Sequence, residues 1–280
     1  MRSVQLWLVL VLLAAINALA VVALLLLRRH GPRGGWFAEP QHAAGAFTVT
    51  GTIFAVLVGF VFLLAFNSYS DARGSARDEA RAAASLFHVA ERFPAPSRDT
   101  LQSDIVCYAR AVVGLEWPAM ADDRSSPEVD RREARLSRDF DAVDPTGQVQ
   151  ADAMLSWFDD ADLLREARQE RLAEASRFIP TTIWVLLLIA GATVIGFTLI
   201  ISDPRERRGG QIAMVVAVTT AVGAGLLIVN FLDRPYGTHV GAIEPAPMEA
   251  ALAGIHRDLL AHERPDIVAC TALEAPRADG

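Results

Sequence analysis

Apolar residues are concentrated in four long blocks of the chain, and none of the blocks contains a charged side chain. The blocks are residues 4–27, 46–66, 180–201 and 212–232. Each is longer than the roughly 18 residues that indicate a membrane-spanning helix, because about 20 residues at about 1.5 Å per residue cross the hydrocarbon core. The pattern therefore predicts an all-α integral membrane protein with four transmembrane helices.

The second block runs into charged residues without a Pro or a Gly pair to break the helix, so we expect this helix to continue into water. The stop predicted for it is Pro94, since Pro lacks the N–H that a helix interior needs. Further along, apolar residues recur every three or four positions over residues 98–120 and 148–178, which indicates amphipathic helices. Residues 67–179 are therefore predicted to form a helical water-side domain that continues from the second transmembrane helix.

These patterns divide the chain into four regions. Transmembrane helices one and two take residues 1–66, and the helical water-side domain takes residues 67–179. Transmembrane helices three and four take residues 180–232, and residues 233–280 are predicted to form an extended segment, a short helix and a loose tail. The first block continues seven residues past the peptidase-like Ala18-Leu19-Ala20, which favours an uncleaved anchor over a signal peptide.

Composition limits the classes of partner. The chain has 280 residues, 52% of them hydrophobic, and a net charge of −7. The lipid bilayer is thus the expected environment, and an acidic water-side domain argues against nucleic-acid binding. The two cysteines, Cys107 and Cys270, fall on the same side of a four-span protein, and we expect two free thiols rather than a disulfide.

Two stripes on the second transmembrane helix are candidates for function. Small residues at four-residue spacing let helices approach closely, either within one chain or between copies of it. These helix-packing candidates are Gly51, Ala55 and Gly59. The other stripe is bulky and apolar, so it either faces lipid and neighbouring helices or forms a hydrophobic constriction that gates by dewetting. Its members, the pore-neck candidates, are Phe54, Val58, Phe62 and Phe66.

Polar residues follow at the point where this helix leaves the lipid. They form either an interfacial belt, with Tyr at the depth of the headgroups, or the mouth of a pore. These pore-mouth candidates are Asn67, Ser68, Tyr69, Asp71 and Arg73. The spans themselves hold no Asp, Glu, Arg or His, which argues against an ion-coupled transporter.

Catalytic signals are weak throughout the chain. The histidines show no metal-ligand spacing, and the sequence has no phosphate-binding or nucleophile motif. The cluster of Asp159, Asp160 and Asp162 lacks the glycine and the spaced oxygens of a calcium loop, so we interpret it as a solvated acidic patch. We therefore expect no enzyme activity, no cofactor and no metal site.

Orientation in the membrane is left open by the arginines. The short loops after the first and third spans are basic, and the positive-inside rule places such loops in the cytoplasm. The residues involved are Arg28, Arg29, Arg33, Arg205, Arg207 and Arg208. The opposite side holds at least as many arginines close to the membrane, among them Arg73, Arg77, Arg168 and Arg171. The count does not decide between the two orientations.

Several segments resemble the bestrophin-like domain family of four-span bacterial membrane proteins. They are Phe54-Ala-Val-Leu-Val-Gly-Phe-Val61, Asn67-Ser-Tyr-Ser-Asp-Ala-Arg73, Glu79-Ala80, Tyr108-Ala-Arg-Ala-Val-Val-Gly-Leu-Glu-Trp-Pro-Ala-Met120, Gly196-Phe-Thr198 and Leu232-Asp-Arg-Pro-Tyr236. The approach Gln41-His42-Ala-Ala-Gly45 also fits, so the resemblance extends over residues 40–252. One departure is that Ala72-Arg73-Gly74 follows Asp71, where true bestrophins have an aromatic pair.

The resemblance implies a homo-oligomeric channel, a pentamer in true bestrophins, that passively conducts small inorganic ions. It implies a pore lined by the second transmembrane helix, in which the pore-neck candidates form the neck and the pore-mouth candidates form the mouth. It also implies an inner (plasma) membrane protein whose large domain is cytoplasmic. The alternative is a membrane-anchored sensor or scaffold whose acidic helical domain binds a partner.

Overall fold

The fold is helical throughout the part of the chain that the structure describes. The structure is a computed structural model that describes residues 2–30, 40–201, 207–239, 241–264 and 270. The helices in chain order are α1 (Arg2–His30), α2 (Pro40–Ala90), α3 (Ser97–Ala111), α4 (Trp117–Met120), α5 (Pro127–Asp141), α6 (Gln148–Ala173), α7 (Thr181–Ile201), α8 (Arg208–Leu232) and α9 (Ala246–Ala261). No strand occurs within these ranges, which confirms the predicted fold class.

The four predicted spans correspond to α1, α2, α7 and α8, each long and apolar enough to cross a membrane. Helix α2 continues past its apolar block to Ala90, so the predicted extension into water is confirmed. The loops predicted at residues 28–45 and 203–211 are described only in part, because residues 31–39 and 202–206, with Arg33 and Arg205, lie outside the described residues. Of the predicted tail, residues 265–269 and 271–280 also lie outside them.

The chain divides into two compact units. One unit comprises residues 1–69, 177–234 and 239–241, and therefore holds the four spans. The other comprises residues 70–176, 235–238 and 242–280, and we call it the helical domain. Helix α2 contributes its first part to the spanning unit and its last 21 residues, from Ser70 to Ala90, to the helical domain.

Small residues and neutral hydrogen bonds hold the spanning unit together. At Gly223 of α8 an added Cβ would come within 2.9 Å of the Cδ1 of Leu13 on α1, so a larger residue would force the leucine side chain to move. Close by, the amide of Asn17 donates to the hydroxyl of Thr220 at 3.0 Å, which satisfies a polar group inside the apolar region. Both contacts join α1 to α8.

A single carboxylate joins the end of α8 to the start of α7. Asp233 is 2% exposed and accepts hydrogen bonds from the backbone N–H of Ile179 at 2.8 Å and from the indole N–H of Trp184 at 3.0 Å. Ile179 lies two residues before α7 and Trp184 lies in its first turn, so this one buried acceptor fixes the chain where it enters α7. Asp233 belongs to the Leu-Asp-Arg-Pro-Tyr segment of the sequence.

A π-helical turn separates α3 from α4 in the helical domain. It covers Val112–Glu116, and the N–H of Trp117 donates to the carbonyl of Val112, five residues earlier. Pro118, the residue after Trp117, accounts for the π turn. It has no N–H for the carbonyl of Gly114, and its ring would clash with that carbonyl in an α-helix. The continuous helix predicted over residues 98–120 was therefore wrong at this turn.

A cluster of buried ion pairs fills the centre of the helical domain. Arg171 of α6 is fully buried and donates to both oxygens of Glu79 on α2, at 3.0 Å from Nη2 to Oε1. The same Nη2 donates to Glu116 of the π turn at 2.6 Å. Tyr108 of α3 completes the pairing by donating its hydroxyl proton to Glu79 at 2.6 Å. The buried charges of three elements, α2, α6 and the π turn, are thus satisfied by one another and by the neutral hydroxyl of α3.

Arg168, one turn earlier on α6, extends the cluster towards α5. Its guanidinium donates to Glu116 at 2.6 Å, to Asp130 at 2.6 Å and to Glu133 at 2.7 Å. Burial alone would raise the pKa of Glu116, but the hydrogen bonds and charges of Arg168 and Arg171 outweigh it and lower that pKa. Glu116 is therefore ionised at neutral pH.

Two aromatic residues close the cluster on one side. The guanidinium of Arg171 lies 5.2 Å from the ring centroid of Trp117, a cation–π distance. The indole N–H donates to the carbonyl of Ile243 at 3.0 Å, and Tyr236 meets the indole edge-on at 5.4 Å between centroids. The hydroxyl of Tyr236 donates to the carbonyl of Ala72 at 2.6 Å. Two segments that carry the sequence resemblance therefore meet in this core.

The cysteines correct one expectation. Cys107 of α3 and Cys270 are joined in a disulfide, with Cα atoms 5.5 Å apart, and no free cysteine remains. The expectation of two free thiols was therefore wrong, because a sequence separation of 163 residues gives no indication that the two positions are adjacent.

Replacing Arg171 with Met is expected to lower the free energy of unfolding of the helical domain by about 3–5 kcal/mol, because Glu79 and Glu116 would remain buried without their common partner. Chemical unfolding of the full-length protein in detergent, followed by tryptophan fluorescence, measures the change.

Arg165→Met is the matched control on the same helix. Arg165 pairs with Asp162 at the surface, where both side chains are well exposed, and such pairs contribute about 0–1 kcal/mol. Equal losses in the two variants would contradict a stabilising role for the buried cluster.

Candidate functional site

The predicted pore neck divides into a packed half and an exposed half. Phe54 is 8% exposed and packs against Val194 of α7 and Val222 of α8. Val58 is half-buried, and its Cγ1 lies 3.4 Å from the position that a Cβ on Gly225 would take. The first two members of the predicted stripe therefore hold α2 against the other spans of its own chain.

Phe62 and Phe66 have different surroundings. Their side chains are 41% and 49% exposed, and the two rings lie near-parallel with centroids 6.3 Å apart. Helix geometry accounts for the division, because a step of four residues advances about 400°, which leaves a rotation of about 40° per step. Over the twelve residues from Phe54 to Phe66 the stripe thus rotates by about 120°, away from α7 and α8.

The exposed aromatic pair continues a longer exposed face of α2. At about 100° per residue its members lie within an arc of about 80°. They are Thr48, Thr52, Ala55, Gly59, Phe62 and Phe66, all exposed. The hydroxyl of Thr48 donates to the carbonyl of Ala44 at 2.9 Å, and that of Thr52 to the carbonyl of Thr48 at 2.8 Å. This face is therefore uncharged, with small side chains at Ala55 and Gly59 and bulky ones at its Phe62–Phe66 end. We call it the free face of α2.

Two of the three predicted helix-packing residues, Ala55 and Gly59, line an apolar groove, and the third, Gly51, is half-buried. Ala55 and Gly59 are exposed, and a Cβ added to Gly51 or Gly59 would meet no atom within 4 Å. The groove has a volume of about 500 Å³ between α2 and α8. On the α8 side its wall includes Ala221 and Gly225, so small residues line both sides.

The predicted mouth residues fall in both units. In the spanning unit, Asn67 is exposed, Ser68 is buried, and the hydroxyl of Tyr69 donates to the carbonyl of Gly241 at 2.8 Å. In the helical domain, Asp71 and Arg73 are both exposed. Within the described ranges no group of three or more His, Cys, Asp or Glu side chains could hold a metal ion.

Sequence reasoning did not find the buried ion cluster. Arg168 and Arg171 appeared as membrane-flanking charges, whereas they lie buried beside Leu164 and Ala167 on one face of α6. The signal was present in this spacing, since arginines three apart that share a face with apolar residues point into a core. What the spacing cannot show is which acids they meet there.

Asp104 is a buried carboxyl group outside the ion cluster that the sequence did not identify. It lies on α3 and is 8% exposed, with Oδ1 at 3.4 Å from the Nε of Arg135, which is itself 3.5 Å from Asp139. Its Oδ2 is buried and accepts no hydrogen bond within the described part of the chain. Burial raises the pKa of Asp104 to about 7, with a further rise from Asp139 that Arg135 and Arg132 oppose.

A family model described as Bestrophin-like domain matches residues 14–248 of this chain. The match covers α1 from residue 14 onwards, the other three spans and most of the helical domain, and it confirms the resemblance inferred from the sequence. No curated protein matches the chain.

Solved structures of a bacterial bestrophin homologue from Klebsiella pneumoniae are similar to this chain in fold. One mutant is 15% identical and gives a TM-score of 0.64 over 91% of this chain and 99% of its own. A second mutant is 14% identical, with a TM-score of 0.63 over 93% and 97%. A third structure, phased with zinc, is 15% identical, with a TM-score of 0.58 over 92% and 98%. At these identities the likeness shows the fold alone.

Replacing Asp104 with Asn is expected to stabilise the helical domain above pH 7. The raised pKa means that folded Asp104 binds its proton more tightly than the unfolded chain, so stability falls as pH rises from about 4 to about 7. The variant removes this loss, and thermal unfolding followed by circular dichroism from pH 4 to pH 8 measures it.

Asp144→Asn, at an exposed position between α5 and α6, controls for the loss of one negative charge. If the two variants showed the same pH profile as the unmodified protein, Asp104 would not be the titrating group.

Proposed function

Since the chain belongs to the bestrophin-like domain family, we propose that it forms a homo-oligomeric channel in the inner (plasma) membrane that passively conducts small inorganic ions. The proposal assigns the pore to α2, in a ring of about five copies that place this helix around a common axis. The observation that supports it best is the free face of α2, from Thr48 to Phe66, which no helix of the same chain covers in the described ranges.

The free face has the properties that a gated pore needs. Thr48 and Thr52 are uncharged and donate their hydroxyl protons to backbone carbonyls of their own helix, so this stretch presents no charged group to a passing ion. Ala55 and Gly59 have small side chains and leave room around an axis. Phe62 and Phe66 then narrow the same face, and rings of such side chains close a pore by excluding water.

Phe54 and Val58 have a supporting role in this proposal. Their contacts with α7 and α8 fix the rotation of α2 about its own axis, and that rotation directs Phe62 and Phe66 outwards. The neck proposed from the structure is therefore the second half of the neck predicted from the sequence. The polar residues Asn67, Ser68 and Tyr69 follow it directly and form the proposed mouth together with Asp71 and Arg73.

Replacing Phe62 with Ala is expected to raise ion flux about tenfold, which corresponds to a barrier lower by about 1.4 kcal/mol. The measurement is ion flux into liposomes that contain the purified full-length protein, because removing one aromatic ring from every copy widens and wets the constriction.

Phe60→Ala is the matched control, two residues away on α2. Phe60 is 61% exposed but lies about 160° around the helix from Phe62, so its loss should leave the flux unchanged. Flux at the level of empty liposomes in all three proteins would favour the membrane-anchored sensor or scaffold. Equal increases in both variants would point to a general loosening of the spans.

Native mass spectrometry in mild detergent tests the assembly separately. A closed ring of about five copies gives α2 an axis to line. A monomer or a dimer has no such axis and would exclude the proposed pore.

A further inference from the structure

We infer that the helical domain lies on the extracytoplasmic side of the membrane, where a thiol oxidoreductase closes the Cys107–Cys270 bond. The resemblance to bestrophins implies the cytoplasmic side, so the inference reverses that expectation. It rests on the disulfide and on the placement of the arginines, and it is independent of the proposed channel activity.

The disulfide is the first argument. Its two cysteines are the only ones in the chain, and Cys107 is 5% exposed in the core of the helical domain. Disulfides persist in oxidising compartments and are rare in the cytosol, where glutathione and thioredoxin keep thiols reduced. The match to the family model ends at residue 248, so the bond to Cys270 is a feature of this chain outside the matched region.

The short loops provide the second argument. Loops one and three hold six arginines, at positions 28, 29, 33, 205, 207 and 208, and short basic loops remain in the cytoplasm. Residues 67–179 form a segment longer than the roughly 60 residues to which that rule applies, and long segments cross the membrane largely regardless of charge. The loops therefore carry more weight than the arginines of the helical domain.

The ion cluster further weakens the count of arginines that favours a cytoplasmic helical domain. Arg168 and Arg171, which counted towards a cytoplasmic domain in the sequence, are buried and paired with Glu79 and Glu116. Buried guanidinium groups cannot bind the anionic lipids of the cytoplasmic leaflet. The structure thus removes two arginines, Arg168 and Arg171, from the surface of the side that the resemblance would place in the cytoplasm.

The bond forms by thiol–disulfide exchange with an oxidoreductase that carries a disulfide. Cys270 is partly exposed, so its thiolate attacks the oxidoreductase disulfide, and one enzyme thiolate leaves. The thiolate of Cys107 then attacks the mixed disulfide and displaces the second enzyme thiolate. The two cysteines lose two electrons and two protons, and the oxidoreductase leaves as a dithiol.

Membrane-impermeant maleimide labelling of spheroplasts from a bacterial expression host tests the orientation. Two single-cysteine probes are made in a Cys107→Ser, Cys270→Ser background. Leu155→Cys reports on the helical domain, where Leu155 is 68% exposed, and His30→Cys reports on the loop side. We expect intact spheroplasts to label the Leu155 probe at least tenfold more than the His30 probe, and detergent to equalise the two. The reverse pattern in intact spheroplasts would overturn the inference.

The unmodified full-length protein supplies a test that does not depend on variants. Cells are quenched with acid, and denatured protein is treated with a maleimide-linked polymer before and after reduction. We expect no gel shift before reduction and a shift by two polymer units after it. Complete modification without reduction would show two free thiols and would overturn the inference.

Discussion

Arg171 is the group on which the helical domain depends, because it balances two carboxylates that have no access to water. Glu79 comes from α2, Glu116 from the π turn, and both are fully buried. A buried charge without a partner costs several kcal/mol, so α2, α6 and the π turn must meet in one register. The π turn is explained by Pro118, which cannot continue an α-helix, so this proline determines the position of Glu116 two residues before it. Trp117 and Tyr236 pack around the result.

The spanning unit is stabilised in a different way. Its contacts are small residues, methyl groups and neutral hydrogen bonds, such as Gly223 against Leu13 and Asn17 with Thr220. Because lipid tails are themselves apolar, the hydrophobic effect does little to hold helices together in a membrane. Close packing therefore decides which helix faces meet. Phe54 packs and Phe62 does not, although both are phenylalanines on one helix. The exposed face that results is one of several apolar surfaces of the spans that an assembly of copies or lipid must cover.

The sequence predicted the fold class well, because charge-free blocks of this length have one stable form in a bilayer. It also predicted that α2 would continue into water, since no breaker precedes Pro94. The candidate neck was predicted only in part. Spacing by four placed four residues on a stripe, but the rotation of that stripe relative to α7 and α8 depends on tertiary packing. Pairings across long separations, such as Cys107 with Cys270 or Arg171 with Glu79, depend on the folded chain and leave no local pattern.

Asp233 has a consequence for the order of events at the ribosome. The carboxylate that accepts from Ile179, just before α7, lies 54 residues later in the chain, at the C-terminal end of α8. Because α8 follows α7 along the chain, this acceptor is not yet at the membrane surface when α7 enters the membrane. Its bond forms only when α8 has also crossed and has brought Asp233 to the same membrane surface. The third and fourth spans therefore form a helical hairpin that is closed by the Asp233 hydrogen bond only after both spans have been inserted.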